Sequence, residues 1–379
     1  MKRALVDTFF EMVRIDSESG DEGRFIEYLR ELFEKKLSAR CIVDAYGNLI
    51  AHIPASDTTE IAPIMLVAHA DTVKPGKGIE PVLRNGVIYS AGETILGADA
   101  KAAIVEIFEA VRTSKNRPPV EIIVTRSEEI GCLGAKNLDI SQLNARIGFV
   151  FDHIALESII VGGPTHASLD IEILGRAAHA AVPSNGISAI SVAARAIDTM
   201  PQGQIDQETV TNVGTIQGGA IRNSVPERVS IQAECRSLNH GKCLCQIEEI
   251  RRAFQNAAEL FGAKVDIKVD LKGCTSRVPE DARTVRIAKD AIASVGLEPK
   301  VEVILGGTDA LALQEKGVEA VALGYVGKES HTTRENIAVR DMKKEVEIIQ
   351  HILSLSAAEN IGASVGPMDA NARRTDPNA

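Results

Sequence analysis

Two rhythms of apolar and polar positions divide this chain. Residues 3–15 and 21–36 carry apolar side chains at helical spacing, with Phe25, Tyr28, Leu29 and Leu32 on one face of the second. Ser19 and Glu22 stand ahead of that helix in the spacing of a capping box. The run IAPIMLVAH (61–69) does not alternate, which predicts a central strand covered on both faces. Residues 99–113 set Ile104, Ile107, Phe108 and Val111 on one helical face. VEIIVT (120–125) then reads as a strand, and IGFVFD (147–152) as another after a short helix. This alternation predicts an α/β fold with an open, mostly parallel sheet and helices on both faces.

After GGPTHAS (162–168) the rhythm changes. LDIEILGRA alternates as a half-buried strand, a helix is expected from about 186 to 199, and TVTNVGTIQGGA and RVSIQAECRS read as further strands. A helix at 242–261 and the strand KVDIKVDL complete a small α+β unit, whose alternation predicts an antiparallel sheet with one open face. The first rhythm returns with helices at 281–295, 308–316 and 341–354 and strands at 301–305 and 319–326. The expected organisation is therefore a discontinuous domain of residues 1–165 and 276–355, interrupted by an inserted unit, 166–275, that serves as lid or dimerisation domain. Residues 356–379 lack periodic apolar positions and read as a disordered tail.

Composition narrows the function classes. At 379 residues and 45% hydrophobic the chain can bury a large core, but with 3% aromatics and no Trp that core must come from Ile, Val, Leu and Ala. A net charge of −10 argues against nucleic acid or an anionic membrane as main partner. Asp7 and Glu11 break any secretory apolar segment, and no apolar run has the length of a membrane span. Six scattered cysteines read as reduced thiols, so the expected compartment is the cytoplasm. No phosphate loop of the GxxxxGK[ST] form is present.

The remaining signal lies where mainly apolar strands end. His69 and Asp71 close the 61–69 strand, Asp99 opens the following helix, Glu128 and Glu129 follow the 120–125 strand, Asp152 ends the 147–152 strand, and His331 follows the 319–326 strand. The carboxyl ends of strands in an open α/β sheet form a ligand crevice. Carboxylates gathered there repel unless cations bind them. A mixture of carboxylates and imidazoles suits Zn²⁺, with Mn²⁺ or Co²⁺ as alternatives, and this many donors suit two ions sharing a carboxylate. In an extended segment His69 and Asp71 point the same way, so Asp71 is expected to accept the second ring N–H of His69. Of the Glu128–Glu129 pair, one would ligate while its neighbour handles protons. His52, His153, His240 and His351 read as surface or core groups, and His166 sits at the expected junction.

VAHADTV, LGADAKAA, TRSEEIG, FVFD and ESHTTRE together resemble the five metal-site motifs of the M20 co-catalytic metallopeptidases. GRAAHA, RNSVPE and GGTDA bring the resemblance nearest to the tripeptide aminopeptidase (peptidase T) branch, over about residues 3–355. In the similar M42 aminopeptidases the extra domain enters between the first His and the bridging Asp. Here the long insertion separates Asp152 from His331, as in M20.

The resemblance implies hydrolysis of an amide bond in short peptides, most closely as an aminopeptidase on tripeptides. Dipeptidase, carboxypeptidase and N-acyl amino acid deacylase activities use the same pair of ions, and a non-enzymatic metal-binding scaffold is the alternative outside enzymes. By resemblance, His69 and Asp152 hold one ion and Glu129 and His331 the other. Asp99 bridges them, Asp71 orients His69, and Glu128 is the general base toward a bridging water. It also implies a cis Asp99–Ala100 peptide, and substrate contacts from His179, Asn223, Arg236, Gly306 and Gly307. His179 would come from the second subunit of a homodimer formed through the inserted domain. Ala100 and Ala103 depart from the branch's usual Gly-Ala-Asp-Asp-Lys-Ala-Gly, while the bridging aspartate is kept.

Overall fold

Strand Ile64–His69 is buried at every position, as its unbroken apolar run requires, and lies inside the principal sheet. The computed structural model describes residues 2–56, 61–325 and 327–358. Within the first of two units the strands run in the order Arg40–Val43, Leu49–Ile53, Val120–Thr125, Ile64–His69, Ile147–His153, Glu319–Gly324 and Ser158–Gly163.

The sheet is mixed, which corrects the expectation of a mostly parallel one. Its four inner strands, Val120–Thr125 to Glu319–Gly324 in that order, pair in parallel. Arg40–Val43 pairs antiparallel with Leu49–Ile53, which pairs antiparallel with Val120–Thr125, and Ser158–Gly163 meets Glu319–Gly324 antiparallel. The cause is connection length. Helix Ala98–Thr113 supplies the crossover that a parallel neighbour needs, whereas residues 44–48 are too few to return the chain in parallel.

Helices Lys2–Val13, Gly23–Leu37, Ala98–Thr113, Arg283–Ser294 and Val339–Ala358 contribute to one core with the sheet. That core is mainly aliphatic but has Phe9, Phe25, Phe33, Phe149, Phe151 and Tyr325 buried in it, more aromatic than the composition predicts. This unit comprises the chain up to Val161, Val278–Glu302, and the part from Thr308 onward. The capping box expected before Gly23 does not form. Glu22 is the N-cap but makes no side-chain cap bond, because its carboxylate takes Arg126, Ser127 and the N–H of Gly20. The last helix runs to Ala358, beyond the expected 354. The remainder of the expected tail, 359–379, lies outside the described residues.

The second unit comprises Gly162–Arg277 with Val303–Gly307. Its sheet runs Gly203–Gln204, Thr209–Gly218, Arg228–Ser237, Thr165–Leu174, Lys264–Gly273, antiparallel at every pairing. The inward residues of strand Thr165–Leu174 are buried alternately and pack with helices Ala189–Thr199 and His240–Phe261. The first of these helices starts three residues later than expected, because Pro183–Asn185 forms a separate 3₁₀ turn and Ser188 caps the helix. The second ends at Gly262, whose φ of +70° suits glycine at a left-handed cap.

Candidate metal centre

Parallel pairing brings four strand ends to one edge of the first unit. His69 pairs with Thr125 across Ile64–His69 and Val120–Thr125, and Asp152 sits near the end of the neighbouring Ile147–His153. After Thr125 the chain turns back on itself. The N–H groups of Gly131 and Cys132 donate to Glu128 O, that of Leu133 to Ser127 O, and that of Gly134 to Arg126 O. A Cβ on Gly134 would meet Arg126 O at 2.4 Å, so only glycine permits this approach. The turn holds Glu128 and Glu129 at the sheet edge.

Asp99 is the centre of the geometry. Its Oδ1 lies 3.1 Å from His69 Nε2, and its Oδ2 lies 3.3 Å from His331 Nε2. Asp152 Oδ1 lies 3.5 Å from the same nitrogen of His69, and Glu129 Oε2 lies 3.0 Å from His331 Nε2. Two groups of donors thus share Asp99: His69 with Asp152, and Glu129 with His331. Donors about 2.0–2.1 Å from one tetrahedral zinc stand roughly 3.3 Å from each other. The separations of 3.0–3.5 Å here match that edge length, so these residues fit a pair of divalent cations. Glu129 Oε1 is also buried without a hydrogen-bond partner among the described residues.

Asp71 serves the centre more broadly than expected. His69 Nδ1 is 2.9 Å from the backbone O of Asp71 and 3.5 Å from its Oδ1, so the main chain is the nearer acceptor. The carboxylate instead accepts the N–H of Glu128 at 2.8 Å and of Glu129 at 3.2 Å, together with the Ser19 hydroxyl at 2.7 Å. One side chain therefore ties the histidine strand to the glutamate turn. The Asp99–Ala100 peptide is cis.

The charge balance follows from burial and pairing. Burial opposes ionisation of Asp99, but the two imidazoles outweigh it and hold the carboxyl below its ordinary range. Burial likewise opposes a charged His69, yet Asp152, Asp71 and Asp99 raise its pKa well above the ordinary value. Hydrogen bonds to Asp99 and Glu129 raise His331 to about 10. Burial raises Glu128 well above the usual carboxylate range, with the charge of Asp152 adding to it. Burial raises Glu129 and Asp152 too, partly offset by their histidines. A cation-free site thus keeps protons that bound cations replace.

Several residues around the centre escaped the sequence reading. Glu335 accepts the N–H groups of Leu96, Gly97 and Asp99. Lys101, fully buried, donates to Ile15 O at 2.6 Å and lies 4.6 Å from the centre of the Phe25 ring, while burial lowers it to about 7. Asp309 accepts the Thr125 hydroxyl and groups with Glu128 and Cys132; burial raises it to about 7. Asp309 stands in the GGTDA stretch, of which only Gly306 and Gly307 are expected at the site from the sequence. A lone polar residue opening the helix Asp309–Glu315 was the available signal.

The other expected contact residues belong to the second unit. His179 and Asn223 come together where the short strands Ala178–His179 and Ser224–Val225 pair, with Ala180 N–H donating to Asn223 O. Arg236 is half-buried and donates to Leu305 O at 3.1 Å and Glu234 at 3.0 Å, next to Gly306 and Gly307 along the chain.

Fold and site together define a hydrolase built for two metal ions on an α/β sheet. Residues 65–355 match the sequence pattern of peptidase family M20/M25/M40, and the chain belongs to that family. It is 34% identical over 369 residues to the protein YqjE of Bacillus subtilis strain 168, covering 94% of this chain and 99% of that one. An aminopeptidase PepT from Bacillus cereus has a similar crystal structure, with TM-score 0.86, 35% identity, and 94% and 99% of the two chains covered. A tripeptidase from Staphylococcus aureus is similar at TM-score 0.90 and 30% identity, with the same coverage.

Proposed function

We propose that this chain is a metal-dependent aminopeptidase of short peptides, tripeptides among them. His69 and Asp152 would hold one cation, Glu129 and His331 the other, and Asp99 both. The observation that carries this reading is the division of the Asp99 carboxylate, one oxygen toward each imidazole. Bound there, divalent cations polarise a carbonyl and lower the pKa of water toward neutrality.

The chain's own groups do the rest. Glu128 belongs to neither ligand group, and the N–H bond to Asp71 fixes its backbone. Its carboxylate, outside both groups, suits a base that would accept a proton from the attacking water and deliver it to the leaving amine. His179, Asn223 and Arg236 would bind substrate or the developing oxyanion, and Gly306 and Gly307 the substrate carboxylate. The second unit would act as lid and homodimer interface. The cysteines, which form no disulfide among the described residues, suit a reducing compartment such as the cytoplasm. No helix among the described residues is long and apolar enough to cross a membrane.

A panel of free, N-acylated and C-amidated peptides, digested with and without chelator, tests the reading. Cleavage that needs a free amino terminus, weakens on C-terminal amidation and stops on chelation is expected. Cleavage that tolerates a blocked amino terminus and needs only a free carboxylate would indicate a carboxypeptidase, and turnover confined to acylated amino acids a deacylase. Cleavage that persists without metal would refute the two-cation site.

A further inference from the structure

Behind the proposed base lies a third group of donors. One atom each of Glu128, Cys132 and Asp309 lie within 4.8 Å of one another. Cys132 and Asp309 are buried, and the Cys132 thiol already points at Glu128 Oε1 across 3.1 Å. Asp309 is 1% exposed, and its Oδ1 has no hydrogen-bond partner among the described residues. An unpaired carboxylate oxygen in such a setting is costly, and a cation would satisfy it.

We infer that Glu128, Cys132 and Asp309 form a third cation site, which takes a soft or borderline divalent ion such as Zn²⁺ or Cd²⁺ and disables the base when filled. The inference rests on the assignment of Glu128 as base for its functional consequence, but not for the binding itself. One sulfur with two carboxylate oxygens selects against Mg²⁺ and Ca²⁺, which prefer oxygen alone. Zinc bonds of about 2.0–2.3 Å require the three donors to close by roughly an ångström, within the reach of side-chain rotation. As the ion binds, the thiol proton and any proton held by Glu128 or Asp309 leave to solvent, and lone pairs of the sulfur and the two carboxylates are donated to the metal. Glu128, occupied by that ion, no longer accepts a proton from water. Excess zinc would thus inhibit at concentrations above those that fill the catalytic pair.

Cadmium titration of the full chain tests this, in a background with the exposed Cys245 and Cys274 changed to serine. Equilibrium dialysis counts bound ions, and ultraviolet sulfur-to-cadmium charge-transfer absorption reports the thiolate. Three ions per chain and a charge-transfer band are expected. Cys132→Ser should leave two ions and no band, and Asp309→Asn should weaken the third ion at least tenfold while keeping the band. Saturation at two ions without a band overturns the inference, as does a band that survives Cys132→Ser. The two readings fail separately: fewer than two ions in the Cys132→Ser chain counts against the catalytic pair, whereas the band alone decides the third site.

Discussion

The backbone N–H of Asp99 donates to Glu335 Oε1 at 3.0 Å, across 236 positions of sequence. Glu335 Oε2 takes Leu96 N–H at 2.8 Å and Gly97 N–H at 2.7 Å. The segment that presents Asp99 to both imidazoles is therefore held by a carboxylate four residues beyond His331. Glu335→Ala leaves three buried N–H groups without their acceptor. A loss of about 3 kcal/mol in stability is expected, since each orphaned donor costs about 1–3 kcal/mol before relaxation. Metal affinity should fall about 10–100-fold, the usual effect of removing a group that orients a ligand. Glu335→Gln keeps one carbonyl oxygen and should lie between the two. Urea unfolding and bound-metal analysis check both; unchanged metal affinity in the alanine variant would refute the bracing role.

Glu128→Gln separates the base from the ligands. Glutamine preserves the size of the side chain but cannot take a proton. The turnover number should fall by at least about 10³-fold, within the range general bases contribute. Two metal ions should remain bound, because neither ligand group includes Glu128. Steady-state kinetics with elemental analysis of the same sample decide it. Substantial remaining activity, or loss of a metal, contradicts the assignment.

Much of this centre was legible because parallel strands end together. His69, Asp99, Glu129, Asp152 and His331 each follow or adjoin an apolar run, and parallel pairing brings those ends to one edge. Glu335, Lys101 and Asp309 were not legible as contributors. Their roles depend on which backbone groups they meet across the fold, and a single buried acid or lysine carries no periodic signature. Ser19 illustrates the difficulty. Its spacing to Glu22 has a local explanation in capping, yet its hydroxyl serves Asp71 instead. The antiparallel direction of the outer strands is not legible for a related reason. Apolar content reports burial, whereas strand direction depends on connections such as residues 44–48.

Cation uptake should release protons from the imidazoles. In the metal-free chain Asp99 and Glu129 raise His331 from an ordinary 6.5 to about 10. The charged ring then supports the metal-free fold fully below pH 6.5 and ceases to do so as pH rises through about 10. That support is small, because the side chain is half-exposed. A metal must displace the proton, so affinity at the Asp99–Glu129–His331 group should rise about tenfold per pH unit between pH 6.5 and 9. Titration calorimetry in buffers of different ionisation enthalpy measures the release. An affinity that is flat with pH would show that His331 is not a ligand.

Glu106 and Glu345 supply a test on the fold itself. They sit on the packed helices Ala98–Thr113 and Val339–Ala358, and neither carboxyl has a hydrogen-bond partner among the described residues. Burial raises both pKa values well above the ordinary 4.5, and the charge of Glu345 raises Glu106 further. The unfolded chain therefore loses these protons near pH 4.5 while the folded chain retains them. Stability contributed by each group falls as pH rises above 4.5, by up to about 1.4 kcal/mol per unit, until the folded carboxyl ionises. Glu345→Met, near in volume and apolar, should stabilise the protein at pH 8 and lose that advantage toward pH 4. Glu106→Met should behave alike, and the double variant should gain less than the sum, because each substitution relieves part of the other's burden. Melting temperatures across pH 4–8 provide the measurement. An advantage that does not change with pH would mean the carboxyls find partners in solution, and the packing of these two helices would then need a different account.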